Sequence, residues 1–177
     1  MPEEKETTDI RLTAGGGRGL DAMDRKISGA LARDATMSYA ALSKAVGLSA
    51  AAVHERVRRL RASGAIRATT ADLDGAAHGK PLLAFVHVDS QGWGKTRALM
   101  ALADFPELEE IHSATGDTCI ILKVRVASPD ALEGLLARIY DVEGVRGTRT
   151  YIALSTYLER GVQADVTAAL SDGDHIR

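Results

Sequence analysis

The chain is short of several things, and each shortage removes a class of protein. It has one cysteine, Cys119, so an internal disulfide is impossible, which fits a reducing cytoplasm. It has no apolar run long enough to cross a bilayer and no basic-then-apolar leader at its start, so neither a membrane protein nor a secreted one is expected. Aromatic residues are only 4% of 177 residues, so any core must be built from Leu, Ile, Val and Ala. The hydrophobic share of 45% is enough for one or two domains. Metal-ligand spacing, a phosphate-cradling loop and a nucleophile constellation are all missing. LTAGGGRG at 12–19 is glycine-rich, but no strand precedes it. No cofactor, no bound metal and no enzyme activity are therefore expected. Residues 1–19 are polar, end in glycines and predict a flexible tail.

A strong net charge is missing too, but the formal −2 hides a split. Residues 20–67 carry nine Lys/Arg against four acids, a net of +5. Residues 68–177 carry ten Lys/Arg against sixteen acids, a net of −6. A basic third on an acidic body points to a polyanion partner for that third alone.

What is present in that third is helical spacing. Leu20, Met23, Ile27, Ala30 and Leu31 form one apolar stripe in 20–34. In 38–47, Ser38 suits an N-cap, Leu42, Ala45 and Val46 an apolar face, and Gly47 a left-handed C-cap. Ser49 can cap a third helix with Val53, Val57 and Leu60 inward and Gly64 at its end. Three short helices with a glycine corner before the last make a helix-turn-helix. The third helix carries four arginines on about two turns. With its stripe facing the core, Ala50, Ala51, His54, Glu55, Arg58 and Arg61 point outward. In such a motif the start of the last helix reaches base edges in the major groove. Ala50 and Ala51 permit close approach, and His54 and Arg58 can donate to base acceptors. Arg56, Arg59 and Arg61, with the helix N-termini at Ser38 and Ser49, suit phosphates. Glu55 can hold an arginine in place or accept from cytosine. A merely solvated charged face is the bland alternative. Residues 65–74 predict a short strand or wing, and GAAHGKP at 75–81 a linker, so 68–81 joins the two domains.

The remainder predicts an ordered series. Strands are expected at 82–90, 108–116, 118–127 and 145–159, and helices at 95–106 and 128–141. Ser128, Pro129 and a following acid signal the start of the last of these helices. The order βαββαβ describes a ferredoxin-like sandwich over 82–160, so the fold class is α+β. Residues 161–170 predict a last short helix within a 161–177 tail. One sheet face is covered by helices. The other is apolar and needs a partner, for which self-association is the economical answer. A two-fold dimer would present two reading helices to a pseudo-palindromic site.

These residues resemble the Lrp/AsnC (feast/famine) family of transcription regulators. LDAMDRKISGAL resembles the family's opening helix, and LSKAVGLS with ERVRRL and SGAI its helix-turn-helix signature. EIHSATGD, ILKVRV and GVRGTRTYI resemble its ligand-sensing half, so the resemblance spans 20 to about 160. It implies double-stranded DNA as partner, a homodimer assembling further to octamers, and a cytoplasmic, nucleoid-associated location. It also implies a small-molecule effector, typically an amino acid, held in a cleft between dimers. The effector turn is Gly116, Asp117, Thr118 and Cys119, where Thr118 replaces the family's aromatic and Cys119 its Asp or Asn. Tyr140 matches another wall of that cleft, and His112 a family histidine with a structural role as the other option. Asp117 can equally be a turn former, and Cys119 a small buried hydrophobe, a pocket residue or a redox thiol. Two other functions are a nucleoid-associated architectural protein without effector and a siroheme-decarboxylase-like enzyme. Against the enzyme stand the acidic C-terminal half and histidines (His78, His87, His112, His175) that form no cluster in the sequence.

Overall fold

Side-chain caps set the helix starts in the first part of the chain. In the computed structural model, which describes residues 19–91 and 97–164, Asp21 accepts from the Asp24 N–H and opens α1 (Ala22–Arg33). Ser38 accepts from the Ala41 N–H and opens α2 (Tyr39–Val46). Ser49 accepts from the Ala52 N–H and opens α3 (Ala50–Ala62). Each cap satisfies a donor that the first helical turn leaves over. Gly47 has φ 73° and ends α2 in the left-handed region, as its position in the sequence predicts. Ile27, Ala30, Leu42, Val46, Val53, Val57 and Leu60 form one buried cluster, with Leu20, Met23, Leu31 and Ile66 packed against it. Ala45, expected on the apolar face, is exposed.

The strand or wing expected at 65–74 does not form. Residues 67–74 run as coil into a turn, in which Asp74 accepts from the Ala77 N–H at 2.6 Å. Without a neighbouring strand this segment has no ladder to join.

The second part is a four-stranded antiparallel sheet in the order β2-β3-β1-β4. β1 (Leu82–Ser90) lies in the middle, paired with β3 (Ile120–Val126) and β4 (Val145–Ile152), while β2 (Leu108–Ser113) pairs with β3. α4 (Arg97–Met100) continues as a 3-10 turn (Ala101–Asp104), and α5 (Pro129–Tyr140) follows β3. The order is βαββαβ, as expected. Alternate residues face one side: Ala84, Val86 and Val88 of β1 and Ile120, Leu122, Val124 and Val126 of β3 pack on Leu99, Leu102, Leu132, Leu135 and Ile139. Ser128 caps α5 and Pro129 sits in its first turn.

Several boundaries differ from the sequence expectation. β2 stops at Ser113 because the Gly116 turn begins sooner, with Ala114 N–H donating to the Cys119 carbonyl. β4 stops at Ile152: Ala153 still donates to Leu83, and then the chain leaves the ladder. Its residue Glu159 reaches across to Lys123 and Arg125 of β3. Residues 161–164 are not helical, and the rest of the helix expected at 161–170 lies outside the described residues, as do residues 1–18 of the tail. By contacts the chain divides into two units. Among the described residues, one comprises 19–70 and 160–164, and the other is Ala71–Glu159.

Candidate nucleic-acid interface and effector turn

α3 has two faces with opposite fates. Val53, Val57 and Leu60 are within 2% of full burial. Ala50, Ala51, His54, Glu55, Arg58, Arg59 and Arg61 are exposed. The four arginines then separate. Arg56 Nη1 donates to Asp21 Oδ2 at 2.6 Å and to Asp24 Oδ1 at 2.7 Å. Arg59 Nη2 donates to both Asp24 oxygens, at 3.0 and 2.9 Å. Asp24 is buried, so these two cations neutralise a carboxylate taken out of water. The expectation that Arg56 serves phosphate gives way here: its guanidinium is half-buried and held by the start of α1. Arg56 in turn holds the Asp21 carboxyl below its ordinary range. Arg59 has the same carboxylate partner, but its side chain stays 58% exposed, which leaves donors for the outside.

Arg58 makes a two-pronged pair with Glu55, Nε to Oε2 at 2.9 Å and Nη2 to Oε1 at 2.7 Å. This pair is exposed on both sides and contributes little to stability. It aims the guanidinium outward beside His54. Of the two uses expected of Glu55, holding an arginine is the one this geometry displays. Arg61 has no carboxylate partner among the described residues. The His54 ring meets Tyr39 edge-on at 5.0 Å between centroids. Tyr39, at the start of α2, escaped the sequence reading because a helix-period count treats it only as one more exposed position. Ser38 and Ser49 spend their hydroxyls as caps, so what their helices offer an anion is the free N–H groups of the first turn.

In the sheet unit, Gly116–Cys119 form the β2–β3 turn, with Gly116 at φ 123°, a conformation that suits glycine. Thr118 is buried, and its hydroxyl faces the carbonyls of Val88 and Ile120 at 3.2 and 3.3 Å. It pins the turn to β1 through the Val88 carbonyl. Cys119 is half-buried, its sulfur 3.9 Å from the Ser90 carbonyl. Asp117 is 85% exposed. Tyr140 ends α5, half-exposed, and its oxygen accepts from the Thr148 N–H at 3.2 Å, which lowers the pKa of its hydroxyl. His112 pairs with Glu110 at 2.7 Å on the sheet surface. The turn and Tyr140 are not in one element. β4 joins them: Thr148 holds Tyr140, and Arg149 holds Asp117. Arg149 went unremarked in the sequence because nothing local tells which turn a strand arginine will meet.

A helix-turn-helix with an exposed basic reading helix, followed by a βαββαβ sheet unit, defines a DNA-binding regulator with a separate ligand-binding domain. The AsnC-type helix-turn-helix domain matches residues 20–61 and the Lrp/AsnC ligand binding domain residues 83–163. The chain is 36% identical over 140 residues to the HTH-type transcriptional regulator FL11 of Pyrococcus horikoshii, covering 79% of this chain and 93% of that protein. It is 35% identical over 142 residues to the leucine-responsive regulatory protein of Escherichia coli, 78% and 87% covered. Among solved structures, the feast or famine regulatory protein of M. tuberculosis complexed with L-methionine superposes with a TM-score of 0.73 at 36% identity, covering 78% of this chain and 95% of that one. The chain belongs to the Lrp/AsnC family of transcription regulators.

Proposed function

We propose that this regulator reads operator DNA with α3 and changes its DNA binding when an amino acid occupies the sheet unit. The observation that carries the reading is the outward row of α3. Ala50, Ala51, His54 and Arg58 stand in line from its N-terminus, all exposed, above a closed core. That row fits a major groove, with His54 and Arg58 at base edges and small residues where the helix comes closest. Arg59, Arg61 and the helix starts at Ser38 and Ser49 serve phosphates, and Glu55 positions Arg58. The partner is double-stranded DNA in the cytoplasm, at the nucleoid.

The effector is an amino acid bound at Gly116, Asp117 and Cys119 with Tyr140 nearby, Thr118 anchoring the turn. The L-methionine complex of the M. tuberculosis relative supports this chemistry. The uncovered sheet face, with Phe85 38% and Tyr151 55% exposed, supports a homodimer, and the dimers assemble further to an octamer with effector between them. No helix among the described residues is long and apolar enough to cross a membrane.

Fluorescence anisotropy tests the reading. A duplex enriched from a random pool by this protein is compared with a scrambled duplex at two salt concentrations, with and without each common amino acid. Tight, salt-sensitive, selective binding that shifts with one amino acid is expected. Equal affinity for both duplexes would replace the regulator with an architectural DNA binder.

A further inference from the structure

The two parts of the effector site are distant in the sequence and meet through one stretch of β4. Thr148 N–H donates to the Tyr140 oxygen, and the next residue, Arg149, reaches the Gly116–Asp117 turn. Arg149 pairs with His87 in the register of β1 and β4. One guanidinium nitrogen, Nη2, donates to the Asp117 carbonyl at 2.7 Å. The other charge contacts are longer: Nη1 stands 3.4 Å from Asp117 Oδ2, and Nη2 stands 3.7 Å from Asp89 Oδ1. Arg149 is 43% exposed and the Asp117 side chain 85% exposed. A guanidinium has five donors in a fixed fork, and only one is committed here at a short distance. Ion pairs this open to water contribute little to stability.

We infer that Arg149 is the group that takes the carboxylate of the effector, while the Asp117 carboxylate takes its ammonium. The inference rests on the amino-acid reading above and adds to it the residue that recognises the acid end. A free amino acid carries its two opposite charges a few bonds apart. Arg149 and Asp117 present the opposite pair at 3.4 Å, with both charged ends facing solvent. The planar fork of arginine matches a carboxylate with two parallel hydrogen bonds, which an ammonium cannot do. Asp117 receives the ammonium without help from a side chain at 119, where this protein has Cys119 with its sulfur turned to the Ser90 carbonyl. The replacement at 119 therefore leaves the charged ends of the ligand recognised. Binding exchanges the loose Arg149–Asp117 contact for two contacts to ligand, and the turn is then held to β4 through the ligand as well as through the carbonyl of Asp117.

The test is calorimetric titration of the full chain with each common L-amino acid, then with the α-amide of the best binder, which keeps the ammonium and side chain and loses the acid. The wild-type protein is expected to bind the amide about tenfold or more weakly, the loss of a charge-assisted contact. Arg149→Gln is expected to bind acid and amide alike, both at the weak level, with an unchanged circular dichroism spectrum. An acid-to-amide ratio in Arg149→Gln equal to the wild-type ratio overturns the inference and leaves the effector reading standing. Equal affinity of the wild type for acid and amide does the same. Should Arg149→Gln lose its folded spectrum, Arg149→Lys decides, because it keeps the charge and lacks the fork: an undiminished ratio there overturns the two-pronged recognition. Absence of binding by any amino acid to the wild type overturns this inference together with the effector reading.

Discussion

The two units handle their cations differently. In the sheet unit Lys123, Arg125, Arg138 and Arg149 are all engaged: Lys123 with Glu109, Glu110 and Glu159, Arg125 with Glu109 and Glu159, Arg138 with Glu107, Arg149 with Asp89 and Asp117. In the helical unit the engagement is split along one helix. Arg56 is half-buried against Asp21 and Asp24, Arg59 shares Asp24 but keeps its side chain 58% exposed, and Arg58 and Arg61 face outward. Net charge alone says where a polyanion goes, but partners decide which cations are free to meet it. An arginine such as Arg56, half-buried between two carboxylates, is part of the fold, whereas Arg59 pairs with the same buried acid and still offers donors outward.

That contrast can be broken at its strongest point. Asp24→Ala removes the buried carboxylate that gathers Arg56 and Arg59. A loss of about 2 kcal/mol is expected in the helical unit, from charge-assisted hydrogen bonds. Chemical denaturation followed by circular dichroism measures it, and a loss near zero would mean that the two arginines are as well off in water. Next in size are the outward arginines. Arg58→Ala is expected to weaken operator binding about tenfold or more and to relax base preference. The same measurement on Arg61→Ala is expected to show a uniform loss over all duplexes and a salt slope smaller by about one. Interchanged outcomes would swap their assignments to base and phosphate. Arg125→Gln, by contrast, should leave DNA affinity untouched, since its partners lie within the sheet unit; a drop comparable to that of Arg61→Ala would end the distinction between the units.

The smallest effect is a pH response. The Lys123 ammonium, and then the Arg125 guanidinium, hold the Glu159 carboxyl below its ordinary range. A depressed carboxyl stabilises the folded state above its unfolded pKa and loses that contribution as the pH falls through the folded pKa. The tether of 153–159 to β3 should therefore loosen only in acid below the usual glutamate range. Protease cleavage within 153–159, followed down the pH scale with an acid-stable protease, is expected to rise there and to be pH-independent in Glu159→Gln. An equal rise in both would place the loosening elsewhere.

The helical unit was largely legible because its signals are local. Ser38, Ser49 and Gly47 act within one turn of themselves, and the stripe Val53, Val57, Leu60 needs only the helical period to show its direction. The βαββαβ order of elements was legible from the alternation of strand-like and helix-like runs, and β1 and β3 show the two-residue alternation plainly. Failures occurred where a neighbour distant in sequence decides. Residues 65–74 have strand-like composition but no strand beside them. β4 has apolar residues beyond Ile152, yet the chain leaves the ladder and Glu159 turns to Lys123. The anchoring of Thr118 was not visible either, because the Val88 carbonyl of β1 that its hydroxyl meets lies 30 residues away.

The sequence by itself determined the class: two units of opposite charge, a helix-turn-helix with its reading helix, and a βαββαβ sheet, because periodicity, caps and composition act over a few residues. Only the tertiary structure decided which charges are spent and which are offered. Asp24 lies 32 residues from Arg56, and Asp117 lies 32 from Arg149. Electrostatic partnership depends on distance in space, and burial sets its strength, so no count along the chain could join Arg56 to Asp24 or bring Arg149 to the Gly116–Asp117 turn.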